Sequence, residues 1–145
     1  MSEFIEKAIC DTFPDAVIET TDVQGILNIK IDPAKLVGVS EMLHARHGFD
    51  YLADITAIDW KDRIEVVYQI TALAENTRIA LRVSLDHEKP RVETVTSVWK
   101  GANFQEREVY DLMGVVFKGH PDLRRILLPE EWEGYPLRKD YVIPD

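Results

Sequence analysis

The fold is decided by residues 64–85, IEVVYQITALAENTRIALRVSL, which contain two extended segments joined by a polar turn. In the second segment apolar residues occupy alternate positions through 79–85, and polar side chains such as Arg82 stand between them. Alternation of this kind is typical of a strand that buries one face and exposes the other. Residues 64–70 and 78–85 therefore predict two strands of one sheet.

Three further strands are predicted before these two. Residues 49–58 form an extended segment that a polar turn separates from the next strand, which predicts an antiparallel meander of three strands. Closer to the N-terminus, residues 17–19 and 26–31 flank a turn at Gly25 and predict a hairpin. The sheet is therefore expected to contain about five strands.

Two helices are predicted on either side of the hairpin. Ser2 is expected to cap the first helix, and Pro14 to end it. Asp32 followed by Pro33 is a typical N-cap with proline at the first helical position, and Gly48 is a fitting terminator for that second helix. Both segments place apolar residues at helical spacing.

Two more helices are predicted after the meander, a short one over residues 92–98 and a longer one over 102–113 that Gly114 ends. The resulting fold class is α+β, with one twisted mixed or antiparallel sheet and helices packed on one face. Residues 1–114 are expected to form this single domain.

Residues 115–145 are predicted to form an extended tail and not an independent domain. This segment carries four prolines, two glycines and thirteen large apolar residues, without sustained periodicity. Ordering its backbone costs roughly 30–60 kcal/mol at about 1–2 kcal/mol per residue, whereas burying the apolar side chains returns roughly 20–40 kcal/mol. We therefore expect the tail to lie along another subunit, with its arginines paired to carboxylates across the interface.

Composition excludes several classes of function. The 145 residues carry a net charge of −9, which argues against binding to nucleic-acid phosphates. The longest run without a charged residue is the nine residues 66–74, too short to span a bilayer. The single cysteine, Cys10, excludes an internal disulfide and a self-contained iron–sulfur cluster. The N-terminus also lacks the pattern of a secretory signal, so a reducing, cytoplasmic compartment is expected.

Two groups of residues suit chemistry only weakly. His44 and His47 lie three residues apart on the predicted second helix, a spacing that brings two metal ligands to one face. Asp54, Asp59 and Asp62 cluster near a strand end, where paired carboxylates serve acid–base catalysis. Histidines near a helix C-terminus and aspartates in turns are, however, favourable without any such role. No metal site and no catalytic residue is therefore assigned.

The most informative stretch is residues 103–127, where charged and bulky apolar side chains alternate closely. Arg107 and Asp111 are spaced to pair on a helix, but such a pair contributes only about 0.2–0.5 kcal/mol. Two interpretations remain: a solvated helix face, or a docking surface on which Arg124 and Arg125 make bidentate contacts to acidic groups.

Two motifs in this part of the chain resemble a known family. The run EREVYDLMGVVFKGHPDLRRIL at residues 106–127 and the run EGYPLRKDY at 133–141 resemble the signature and closing motifs of the hydrophilic, thirty-kilodalton-type subunit of respiratory complex I, the proton-pumping NADH:quinone oxidoreductase, and of related energy-converting complexes. The stretch LADITAID at residues 52–59 is also similar, though less distinctive.

The resemblance implies a non-catalytic subunit of the peripheral arm that binds the large hydrogenase-like subunit at the quinone site and neighbouring iron–sulfur subunits. It implies no cofactor in this chain, with iron–sulfur clusters and flavin in the partners. It also implies peripheral association with the cytoplasmic face of the membrane, only through the complex. The equivalent subunit of an energy-converting hydrogenase, or of a ferredoxin- or deazaflavin-linked complex, is the alternative, because the electron donor stays open.

Matching positions of the two motifs are carried over as partner-binding residues, in which glycines and prolines shape the chain path and basic side chains reach partner carboxylates. These residues are Glu106, Arg107, Glu108, Asp111, Gly114, Gly119, His120, Pro121, Arg124, Arg125, Pro136, Arg138, Lys139 and Asp140.

Overall fold

The computed structural model describes the backbone of residues 2–142 and the side chains of residues 4–142. The predicted cap by the Ser2 side chain and the last three residues of the predicted tail lie outside these described parts. The elements in chain order are α1 (Ser2–Thr12), β1 (Val17–Val23), β2 (Ile26–Ile31), a 3-10 turn (Pro33–Lys35), α2 (Leu36–His47), β3 (Tyr51–Asp59), β4 (Arg63–Ala72), a second 3-10 turn (Leu73–Glu75), β5 (Thr77–Asp86), β6 (Arg91–Glu93), α3 (Ala102–Met113) and β7 (Val116–Lys118).

The first five strands form one mixed sheet in the order β1-β2-β5-β4-β3. The hairpin β1–β2 and the meander β3–β4–β5 are antiparallel, as predicted. The two units join where β5 runs parallel to β2, with Leu81 opposite Ile29. The α+β class with a mixed five-stranded sheet is therefore confirmed.

The two faces of the sheet differ as the alternation predicted. Tyr68 and Leu81 lie opposite each other on β4 and β5 and are fully buried in the core. On the other face Arg82 connects two polar side chains. Its Nη1 lies 2.8 Å from Glu65 Oε1, and its Nε donates to Asn28 Oδ1 at 2.7 Å. This face stays polar because those three side chains satisfy one another.

Local capping explains where α2 begins and ends. Asp32 Oδ1 accepts the N–H of Ala34 at 3.0 Å, and Pro33 opens the 3-10 turn that leads into the helix. Gly48 ends α2 in the left-handed conformation with φ of 71°, and its neighbour Phe49 donates its N–H to Leu43 O. These features match the sequence prediction for the second helix.

The short helix predicted over residues 92–98 is wrong. Residues Arg91–Glu93 instead form β6, which pairs in parallel with β7. The N–H of Thr94 then donates to Lys118 O at 2.9 Å. Pairing with a strand distant in sequence satisfies these backbone groups, so a tertiary contact overrides the local apolar spacing.

The first residues of the predicted tail belong to the core of the domain. Val115 and Phe117 are fully buried, and Val116 to Lys118 form β7. Later in the tail, the N–H of Leu137 donates to Leu112 O at 3.0 Å, which holds the chain against the end of α3. No helix in the described part of the chain is long and apolar enough to cross a bilayer.

Candidate docking surface

Helix α3 and the tail meet closely at Gly114, which ends the helix with φ of 77°. A Cβ atom at this position would lie 2.7 Å from Tyr135 Cδ2 and 3.0 Å from Arg138 Nη2. Both the left-handed backbone and the approach of the tail therefore require glycine here. Gly114 shapes the chain path, the physical role that the motif predicted for its glycines.

Asp111 is the anchor of the tail on α3. Its fully buried carboxylate lies 2.7 Å from Arg125 Nη1. It also accepts the N–H groups of Ile126, Leu127 and Leu128 at 3.1, 2.6 and 3.0 Å. Burial opposes ionisation, but the Arg125 guanidinium and the three N–H groups outweigh burial and lower the pKa of Asp111 below its usual value.

The pair between Arg107 and Asp111 that the helical spacing suggested does not form. Arg107 instead donates to the carbonyl oxygens of Arg124 and Arg125 at 3.2 and 3.3 Å. Asp111 is buried beneath the tail, where Arg125 and backbone N–H groups surround it, and Arg107 lies over the tail from the outside. The two side chains therefore hold the same tail segment from different sides.

The adjacent residues Arg124 and Arg125 have different environments. Arg125 is only 9% exposed, donates its Nη2 to Gly134 O at 2.7 Å and lies 5.1 Å from the centre of the Tyr135 ring. Arg124 is 60% exposed and pairs only with surface carboxylates on the tail. The expectation that both arginines pair with partner carboxylates needs correction, because the carboxylate that Arg125 contacts is Asp111 of the same chain.

Glu106 is a fully buried carboxyl group on α3. Thr94 donates its hydroxyl to Glu106 Oε1, and the N–H of Val95 donates to Oε2 at 2.9 Å. Burial raises the pKa of Glu106 to about 7, against the opposing effect of these two hydrogen bonds. This carboxyl group holds the loop after β6 onto the helix and is not available at the surface.

His120 packs beside Glu106, with its Nε2 4.0 Å from Glu106 Oε1. Its Nδ1 accepts the N–H of Asp122 at 2.9 Å, so Nε2 is the protonated nitrogen and donates to Asn103 O at 3.1 Å. This pattern corresponds to a neutral imidazole that fastens the turn after β7 to the start of α3.

A second buried carboxylate, Asp59, fastens the far end of the tail. It accepts the N–H of Lys139 and the N–H of Lys61, each at 2.8 Å, and lies 2.9 Å from His87 Nε2. Burial raises the pKa of Asp59, but these hydrogen bonds outweigh burial and leave it below its usual value. Arg138 completes the attachment by donating to Met113 O at 2.7 Å.

The structure does not bring the weak candidate sites together. Asp59 anchors the tail, Asp54 lines a separate groove, and Asp62 pairs with Arg63 at the surface. His44 packs edge-on against the Trp99 ring, whereas His47 packs against Phe4. Within residues 4–142, no three His, Cys, Asp or Glu side chains are grouped to hold a metal ion.

An outward surface lies above the anchored tail, and its apolar residues were not singled out from the sequence. Phe104 and Leu127 are 61% and 58% exposed, and the Arg107 guanidinium lies 5.7 Å from the centre of the Phe104 ring. Together with Arg124 these residues are called the docking face below. Two large exposed apolar residues beside arginines are typical of a binding surface.

The other motif residues occupy turns or the surface around this region. Gly119 has φ of 84°, and Pro136 lies in a turn closed by the N–H of Arg138 on Tyr135 O at 3.1 Å. The exposed members of the group are Glu108, Pro121, Lys139 and Asp140.

Comparison with known proteins gives consistent relatives. Residues 29–145 match the family described as respiratory-chain NADH dehydrogenase, 30 Kd subunit. A subunit of the NADH-quinone oxidoreductase of Moorella thermoacetica, designated by the letter C, is 41% identical over 144 residues, which cover 97% of this chain and 95% of the relative. Subunit 5 of the enzyme from Thermus thermophilus is 49% identical over 116 residues, covering 71% of this chain and 56% of the relative.

Solved structures agree in fold. A trypsin-resistant fragment of Nqo5 superposes with a TM-score of 0.69 at 35% identity, covering 85% of this chain and all of the fragment. A chain of the membrane-bound sulfane sulfur reductase, an archaeal respiratory membrane complex, superposes with a TM-score of 0.78 at 28% identity, covering 97% of this chain and 85% of the other. The chain therefore belongs to the family of respiratory-chain NADH dehydrogenase 30 kDa subunits and is a complex I-type subunit.

Proposed function

We propose that this chain is a non-catalytic subunit in the peripheral arm of a proton-pumping NADH:quinone oxidoreductase. In this proposal it binds the large hydrogenase-like subunit at the quinone site through the docking face and supports assembly of the electron-transfer arm. The observation that carries the proposal is the exposure of Phe104, Leu127 and Arg124 on a tail that Asp111 holds rigidly from below.

The internal anchors support this role because they preorganise the surface. Asp111 and Arg125 satisfy each other inside the chain, so the tail backbone needs no partner to fix its course over α3. A surface that is already ordered loses less conformational entropy on binding. Its exposed apolar side chains and the free face of Arg124 then supply contacts of the kind found at protein interfaces.

Electron transfer is proposed to take place entirely in neighbouring subunits. An iron–sulfur cluster usually takes four thiolates, and this chain has one cysteine, Cys10 on α1. The proposed arrangement places clusters and flavin in the partners and brings this chain to the cytoplasmic face of the membrane through those partners alone.

A second candidate is the equivalent subunit of another energy-converting membrane complex. The resemblance to a chain of the sulfane sulfur reductase complex, which covers 97% of this chain, favours it specifically. The two candidates share the docking role and differ in the electron donor. The input subunits that co-purify with the chain distinguish them.

The docking role is tested by comparing Arg124→Ala with Arg78→Ala, another exposed arginine that lies on β5 away from the docking face. We expect Arg124→Ala to lower recovery of the tagged chain in the assembled complex while leaving the melting temperature of the isolated chain unchanged. Arg78→Ala should change neither quantity. Equal recovery of both variants and of wild type, also after a second change Phe104→Ala, would contradict the proposed docking face.

A further inference from the structure

A groove separate from the docking face runs between the edge of β3 and helix α3. It has a volume of about 250 Å³ and is lined by residues 54–57 of β3, by Glu108 and Leu112 of α3, and by Leu137 of the tail. Successive strand side chains point to opposite faces of a sheet. A groove that touches four consecutive residues therefore meets the strand at its edge and not on one face.

The edge of β3 at this groove has no neighbouring strand within the described residues. In the order β1-β2-β5-β4-β3, the strand β3 pairs only with β4. Backbone N–H and C=O groups that point away from β4 are therefore available to another strand. Near the start of this edge, Gln105 Nε2 donates to Leu52 O at 3.4 Å, so α3 bounds the groove at that end.

The charges and apolar groups of the groove define the chemistry of its occupant. Its lining contains the carboxylates of Asp54 and Glu108 and no basic side chain. Leu137, which forms one wall, is 60% exposed. An occupant with an apolar side chain and a neighbouring lysine or arginine complements both features.

We propose that this groove binds an extended, basic segment of a neighbouring subunit, which adds a strand to the free edge of β3 and inserts an apolar side chain beside Leu112 and Leu137. This inference rests on the proposed function, because it requires that the chain be part of a multi-subunit complex. Addition of a strand to an exposed sheet edge is an established mode of peptide recognition, in which backbone hydrogen bonds give affinity and side-chain pockets give selectivity.

The test uses a photoreactive amino acid at Thr56, an exposed groove residue, in the tagged full-length chain incorporated into the complex. We expect irradiation to link Thr56 to a segment of a neighbouring subunit that contains a lysine or arginine. The same substitution at Thr21, an exposed residue on β1 at the opposite edge of the sheet, serves as the matched control and should not capture that segment.

Amide hydrogen exchange provides a second readout that reports backbone pairing directly. Amides of residues 54–57 that exchange in the isolated chain should become protected in the complex, because the added strand accepts their hydrogen bonds. The variant Glu108→Lys should lower recovery of the complex by about tenfold or more, since it places a positive charge against the basic segment. Glu19→Lys, on the opposite edge strand, should not.

The outcomes separate this inference from the proposed function. If the wild-type chain is recovered in the complex but Thr56 captures no segment and residues 54–57 gain no protection, the groove proposal is wrong and the docking role stands. Capture of a segment without basic residues would likewise contradict it. If the wild-type chain is recovered with no respiratory subunit, the proposed function fails first.

Discussion

Replacing Asp111 with asparagine tests the anchor that holds the tail on α3. The change removes the charge opposite Arg125, which is only 9% exposed, and weakens an acceptor that serves three backbone N–H groups. Breaking a buried ion pair by removing one partner costs about 3–5 kcal/mol, because the remaining charge stays desolvated. We expect Asp111→Asn to lower the free energy of unfolding by this amount, a large part of the stability of a domain of this size.

The assay is urea denaturation of the isolated chain near neutral pH, combined with limited trypsin digestion. The unfolding midpoint should fall, and cleavage after Arg124 and Arg125 should become faster as the tail detaches. Asp122→Asn is the matched control, because Asp122 pairs with the 60% exposed Arg124 at the surface. That control should cost less than about 1 kcal/mol.

The pH dependence of this anchor follows from the lowered pKa of Asp111. A carboxyl group with a lowered pKa in the folded state contributes stability above its unfolded pKa and loses it as the pH falls through the folded pKa. Wild type and Asp111→Asn should therefore converge in stability in acid and differ most near neutral pH. A variant within about 1 kcal/mol of wild type at neutral pH, with unchanged tail cleavage, would refute the anchor.

Three further predictions concern the interior. Glu106→Gln should remove a pH dependence of about 3 kcal/mol, because burial raises the folded pKa to about 7 from 4.5 and stability is lost as the pH rises through this window; the check is the wild-type minus variant stability from about pH 4.5 to 8, which should be constant if the carboxyl group is unperturbed. Gly114→Ala should cost more than Gly25→Ala in thermal melting, since both have φ near 80° but only the former brings a Cβ against Tyr135; equal losses would contradict the close approach. Tyr68→Phe should leave the stability unchanged or raise it by about 1 kcal/mol, because its buried hydroxyl has no hydrogen-bond partner among the described residues; a loss above about 1 kcal/mol in the same melts would show that the hydroxyl is satisfied.

Local patterns were sufficient to predict most of the fold. The alternation along β4 and β5 predicts which face is buried, and the caps at Asp32 and Gly48 locate α2. The parallel pairing of β2 with β5 brings together residues about 50 positions apart, such as Ile29 and Leu81, and no local pattern encodes it. The false helix at residues 92–98 has the same cause, since pairing with β7 decides that segment.

The candidate site could be located from the sequence but not resolved into inner and outer residues. Arg124 and Arg125 are identical in type and adjacent, so only the course of the tail over Asp111 separates the exposed one from the buried one. Helical spacing suggested Arg107 as the partner of Asp111, whereas four donors from the tail surround that carboxylate. The density of charged residues indicated importance, and burial decides whether each residue stabilises the fold or faces a partner.

The most direct test of the proposed role is affinity purification of the tagged chain from its native host in mild detergent, followed by mass spectrometry of the co-purifying proteins. We predict recovery of a large hydrogenase-like subunit together with iron–sulfur and membrane subunits, and the input subunits would identify the electron donor. Recovery of the chain alone, while the respiratory complex is demonstrably intact in the same extract, would contradict the proposed role.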